Sequence, residues 1–169
     1  MFHFRIGMEL FRHYFIENDD PKMQQELLFL CTDRLNSGLS FIDKADYGLR
    51  LKLCGFNLRA ARLAADLSAF ELALAYSKKG LGILNEFETC WTEYYNLSLG
   101  IHTLYARMCL FAGNSHAEDL LTTVEVILQN AKTFEASLEA RFTLLDFYRG
   151  TAKYPDMVTT MFEMLGELE

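Results

Sequence analysis

The side chains able to do chemistry are scattered along the chain. His3, His13, His102 and His116 fall in different helical segments, and none has a second metal-type ligand at i, i+4, so no zinc site is expected. Cys31, Cys54, Cys90 and Cys109 show neither CxxC nor paired metal spacing, and each sits among apolar residues, which fits reduced core thiols better than disulfides. Asp19 and Asp20 form a carboxylate pair, but adjacent acids before Pro21 fit a helix start capped by Asp20. Trp91, Tyr94 and Tyr95 could stack a ligand, yet their helical spacing fits packing between repeats. No nucleophile, base and orienting group recur together, so no catalytic residue is assigned, no cofactor is expected and the segment reads as a non-enzyme. What remains is a polar row: Arg50 and Asn57, Ser98 and His102, Ser137 and Arg141. The row either lines a groove that takes a peptide or an anionic ligand, or it bonds helix to helix. Both readings stand at this point.

The elements that must position these residues are helices. From Asp46 to Leu84 the pattern gives two long ones joined by a turn at Asp66 to Ser68. On the first, Lys52, Gly55, Arg59, Arg62 and Asp66 recur at steps of three and four as one polar stripe. Its flanks are apolar on both sides, with Leu53, Phe56 and Ala60 on one and Cys54, Leu58 and Ala61 on the other, so the helix needs two neighbours. Before this pair, Phe2 to Ile16 reads as a short helix with Phe4, Met8, Phe11 and Phe15 on one side. It begins without a cap, which suggests a piece of a longer protein. A second lead-in helix runs from Pro21 to about Ser37, and a short apolar turn follows at Leu39 to Ile42.

Shifting the chain by about 41 residues lays Phe56 on Leu97, Ala60 on Ile101, Leu63 on Leu104 and Phe70 on Phe111. The stripe moves too, to Glu93, Asn96, Gly100, Thr103 and Arg107, and a third copy gives Lys132, Glu135, Glu139, Thr143 and Asp146. Gly113 to Ser115 forms the turn of the second copy, Gly150 ends the third copy's first helix, and Pro155 starts its second. Ala73, Ser77 and Gly80 on one second helix match Ala117, Leu121 and Val124 on the next and Met157, Met161 and Met164 on the last. The expected architecture is one all-α domain over 1–169: lead-in helices in 1–45, then helix-pair repeats over 46–85, 88–130 and 131–169, with a period of about 40 residues. The pattern resembles tetratricopeptide repeats, and so implies a right-handed stack of antiparallel helix pairs whose open Met-rich end offers an apolar face.

Composition limits the function. The net charge of −7 argues against nucleic acid or an anionic membrane surface as the main partner, since both need clustered Lys and Arg. Arg5, Glu9 and Arg12 interrupt any signal-peptide core, and no apolar run reaches 18 residues, so a cytoplasmic location is expected.

Three landmarks carry a closer resemblance: His3 to Gly7 (HFRIG), Leu35 to Gly38 (LNSG) and Asn57 to Arg62 (NLRAAR), continued by Tyr76, Gly80, Leu81, Tyr105, Ala112 and Gly113. In this order they resemble the helical segment that follows the AAA-type ATPase domain in large signalling proteins, including orphan hybrid histidine kinases and ATPase-coupled serine/threonine kinases. Ala61 stands where that family usually has Gly. No GxxxxGK[ST], HRD, DFG or histidine-kinase ATP lid occurs, so the resemblance carries no catalysis to this chain. It implies a regulatory interaction segment whose partners are proteins or peptides, neighbouring domains of a larger chain among them. A stand-alone helical adaptor sensing a peptide or small ligand is the alternative.

Overall fold

The computed structural model describes residues 5–10, 21–43 and 46–167, and no strand occurs among them. Residues 5–10 are helical (α1). They are followed by α2 (Pro21–Ser37), a 3-10 turn at Leu39–Phe41, α3 (Tyr47–Asp66), α4 (Phe70–Leu84) and the single turn α5 (Cys90–Glu93). Beyond these lie α6 (Tyr95–Ala112), a 3-10 turn at Asn114–His116, α7 (Ala117–Asn130), α8 (Phe134–Gly150) and α9 (Tyr154–Gly166). The rest of the helix expected over Phe2 to Ile16, the Asp19 and Asp20 cap, His3 and His13 lie outside the described residues. Among the described residues no helix is long and apolar enough to cross a membrane.

The chain divides into two compact units, Met1–Cys90 and Trp91–Glu169, where the sequence suggested a single domain. The division falls just inside the second expected repeat, 88–130. In the first unit Asp46 caps α3, its side chain accepting the Leu49 N–H at 3.0 Å. α3 packs along α4 and also against α2. Small buried residues allow the close approach: Ala60, Ala61 and Ala64 on α3, Ala73, Ser77 and Gly80 on α4. The Cys54 thiol donates to the Gly80 carbonyl across that interface. Gly7 of α1 lies so near α2 that a Cβ there would stand 2.9 Å from Leu35 Cδ2. In the second unit α6 packs along α7, and α8 packs on α6, α7 and α9. Thr133 caps α8 by accepting the Ala136 N–H.

Burial recurs along the first helices. Asn57, Ala60, Ala61 and Ala64 are buried on α3; Ser98, Ile101, His102 and Tyr105 on α6; Ser137, Ala140, Arg141 and Leu144 on α8. The expected charged stripe faces solvent or is half-exposed except at Thr103 and Thr143, which are buried. A buried threonine is tolerated there because its hydroxyl can bond back to the helix, as Thr143 does to the Glu139 carbonyl at 2.8 Å.

Two hairpin turns share one backbone solution. After α3, Ser68 has φ +59, its N–H donates to Ala65 O and the Ala69 N–H donates to Ala64 O. After α8, Ala152 has φ +56, its N–H donates to Arg149 O and the Lys153 N–H donates to Tyr148 O. Both are Schellman closures with a non-glycine residue in the left-handed position, where glycine carries no Cβ penalty. Ser68→Gly and Ala152→Gly should therefore each stabilise the protein by about 0.5–1 kcal/mol in urea unfolding. A loss of stability in both would show that the turns are held by something other than these closures.

Candidate functional site

All six residues of the polar row are buried, at 0–8% exposure, and the side chains of Arg50, Asn57, His102, Ser137 and Arg141 bond within the fold. Asn57 on α3 forms a reciprocal amide pair with Asn36 on α2, each Nδ2 donating to the other's Oδ1 at 2.9 Å. Asn57 Nδ2 also donates to the Leu53 carbonyl. Arg50 donates to Glu86 Oε2 at 2.5 Å and to the Ile42 carbonyl, while its Nε finds no partner among the described residues. On α8, Arg141 Nε donates to Ser137 Oγ and its terminal nitrogen spans both oxygens of Glu167 at 2.7 and 2.9 Å. On α6, His102 Nδ1 lies 2.7 Å from the Ser98 carbonyl, which can only accept, so Nδ1 carries the proton. Arg50, Asn57 and Arg141 thus tie their helices to other parts of the fold, while the His102 bond stays within α6. A groove built on the row has no side chain turned to solvent.

The aromatic residues also pack inward. Trp91 lies 4.8 Å from the His102 ring and 6.0 Å from Tyr95, and the Tyr95 hydroxyl accepts the Lys132 N–H. Burial pushes the Cys31 thiol up to about 11 and the Cys54 thiol up to about 12, so both stay protonated and unreactive.

A different cluster comes together where α6 turns into α7. Cys109 Sγ on α6, a ring nitrogen of His116 and a carboxylate oxygen of Asp119 all lie within 4.8 Å of one another. His116 Nδ1 stands 3.5 Å from Asp119 Oδ2, and the Tyr105 hydroxyl donates to that oxygen at 3.0 Å. Burial, then the neighbouring Cys109 and Asp119, push the Tyr105 phenol up, so it remains a donor. Gly113 makes the cluster: its φ of +92 and ψ of −170 belong to a region essentially reserved for glycine, and they bring His116 back over Cys109. The sequence signal is Cys109-x6-His116-x2-Asp119 across a glycine turn, which a search for ligands one helical turn apart passes over. A cavity of about 120 Å³ lies against Cys109 but not against His116 or Asp119, lined by Gly113, Asn114, Ala117, Leu120, Phe147 and Thr151 among others. Pockets for organic ligands run to about 300–1,000 Å³, so this one suits water or an ion. The same size argues against a thiol hydrolase, because Cys109 is 1% exposed and an acyl substrate has no way to its sulfur.

The third feature is apolar. Tyr154, Val158, Met161, Phe162 and Leu165 recur at helical spacing on α9 and are 45–70% exposed. Met161 belongs to this face, whereas Met157 and Met164 are half-buried.

Two expectations follow for the buried row. Asn57→Ala should cost about 2–3 kcal/mol in urea unfolding, since it removes three hydrogen bonds and leaves Asn36 without its partner amide. Asn36→Ala added to that variant should cost under about 1 kcal/mol; full additivity would deny the pairing. Burial also holds the His102 imidazole below its ordinary 6.5, with the Ser98 hydrogen bond opposing. As pH falls below about 6.5 the unfolded chain takes a proton that the folded unit refuses, so stability is full above that value and declines toward the depressed folded value. The urea midpoint read by Trp91, the sole tryptophan, should fall more steeply between about pH 6.5 and 5 in the parent than in His102→Gln. Equal slopes would remove His102 from that account.

No protein-family model, curated protein or solved structure matches the chain.

Proposed function

We propose that this chain is a non-catalytic interaction segment, a tetratricopeptide-like right-handed stack of helix pairs that docks a partner helix on α9. The exposed apolar face of α9 carries the reading. The recurrence of the buried quartet at Asn57, Ser98 and Ser137 supports a repeat of about 40 residues. Aligned by their first residues, Ala117 of α7 and Tyr154 of α9, and not by the Ala117 to Met157 match expected from sequence, the helices place Val158, Met161 and Leu165 on Leu121, Val124 and Leu128. Those are half-buried or buried, and α7 has α8 packed against it. The occupant that suits the α9 face is therefore an amphipathic helix of the same kind, brought by a protein partner or a neighbouring domain. The placement of this segment within an ATPase-linked signalling kinase, as a regulatory scaffold, rests on the resemblance of Gly7, Leu35 to Gly38 and Asn57 to Arg62. Gly7 abuts Leu35 and Asn36 pairs with Asn57, which gives these landmarks a shared structural reason. A cytoplasmic location is part of the same proposal.

A photo-crosslinking residue at position 162, used in the cells that make the protein, tests the docking face. The expected result is adducts at apolar positions three or four residues apart on one partner helix. They should disappear in a Met161→Glu/Leu165→Glu variant whose circular dichroism is unchanged. Adducts no more frequent or localised than those from position 159, an exposed polar site on the same helix, would overturn the reading.

A further inference from the structure

We infer that Cys109, His116 and Asp119 form a binding site for a divalent transition metal of the zinc class. The donor set decides the class. A thiolate, an imidazole and a carboxylate suit zinc or cobalt, whereas calcium and magnesium take oxygen ligands. Zinc bonds of about 2.3 Å to sulfur and about 2.0–2.2 Å to nitrogen or oxygen place tetrahedral ligand atoms roughly 3.3–3.7 Å apart. The His116 and Asp119 atoms already stand at 3.5 Å. The set as a whole lies within 4.8 Å, so closure on a metal needs a shift of about an ångström toward Cys109. His116 and Asp119 can supply it, because both side chains are partly exposed on the turn and the first turn of α7.

Charge gives a second argument. A thiolate at the buried Cys109 is unfavourable alone, but with the Asp119 carboxylate it balances a dication, so binding releases the thiol proton to solvent and the pair is neutralised. The Tyr105 hydroxyl holds Asp119 Oδ2, the outer-partner arrangement that orients a ligating carboxylate. Three protein ligands leave a fourth position, which water can fill because the His116 and Asp119 side chains are partly exposed. Neither the i, i+4 spacing of the helices nor the docking face on α9 enters this argument.

The test uses the purified full chain. Cobalt(II) titrated at neutral pH should give a thiolate-to-metal charge-transfer band saturating at one equivalent, with zinc displacing it and raising the melting temperature. The band should weaken as pH falls, since the proton competes with the metal for sulfur. His116→Ala, at a partly exposed position, keeps the fold and should weaken binding at least about 10–100-fold; Cys109→Ala should abolish the band with an unchanged circular dichroism spectrum. No band in the parent chain would overturn the site. So would a band of equal affinity in His116→Ala, which would take His116 out of the ligand set. If Cys109→Ala does not fold, the His116→Ala comparison still decides.

Discussion

Each unit depends on satisfying polar groups along a helix that is covered on both flanks. A buried amide or guanidinium without a partner costs more than its hydrogen bond would have contributed, so the partner has to be supplied from within the fold. Asn57 finds Asn36 on α2, and that pair fixes the rotation of α3 against α2 as well as their separation. Arg50 and Arg141 answer the same constraint in a second way. Each reaches from a first helix to a glutamate at or just past the end of the following one, Glu86 beyond Leu84 and Glu167 beyond Gly166. A glutamate at a helix C-terminus opposes the dipole there, and the guanidinium offsets that charge while closing the hairpin. Since the glutamates are 41% and 49% exposed and the arginines 5% and 10%, the pairs matter chiefly because they keep a buried cation from standing uncompensated.

Much of this was legible. The Asp66 to Ser68 turn, the helix ending at Gly150 and the Pro155 start all follow from local chemistry, because caps and breakers act over one or two turns. That Asn57, Ser98 and Ser137 each stand opposite the charged stripe of their helix was legible from helical spacing. The direction that side faces was not. Periodicity places residues at one angle around a helix, but whether that angle meets solvent or another helix depends on which helices lie on either side, and the charged stripe looked like the covered alternative's opposite. Thr103 and Thr143 show the same limit from the other side, as polar residues counted with the stripe that the fold buries. The two-unit division was invisible because no proline- or glycine-rich linker marks it, only the short turn α5.

The cluster at the α6 to α7 turn escaped for a different reason. Ligand searches by spacing assume that both ligands share a helix face, whereas Cys109 and His116 are brought together by a backbone conformation at Gly113. The same residue can be read from sequence as a helix stop, and it is one, but the value of φ that stops the helix also decides where His116 goes. A turn glycine thus carries information about side-chain juxtaposition that its role as punctuation conceals.

The cavity beside Cys109 links this turn to the last hairpin. Its walls come from the α6 to α7 connection, at Gly113, Asn114 and Ala117, and from the end of α8, at Phe147, Gly150 and Thr151. Thr151 stands at the turn into α9, where Ala152 holds the left-handed conformation that sets the exit direction of that helix. Movement of His116 and Asp119 toward Cys109 acts on the first turn of α7, and Leu120 of α7 faces the same cavity as Phe147. Packed interiors respond to such shifts by moving neighbours, not by compressing. The turn that gathers the metal-type ligands and the turn that aims the apolar face of α9 therefore share one small space, and whatever fills that space bears on both.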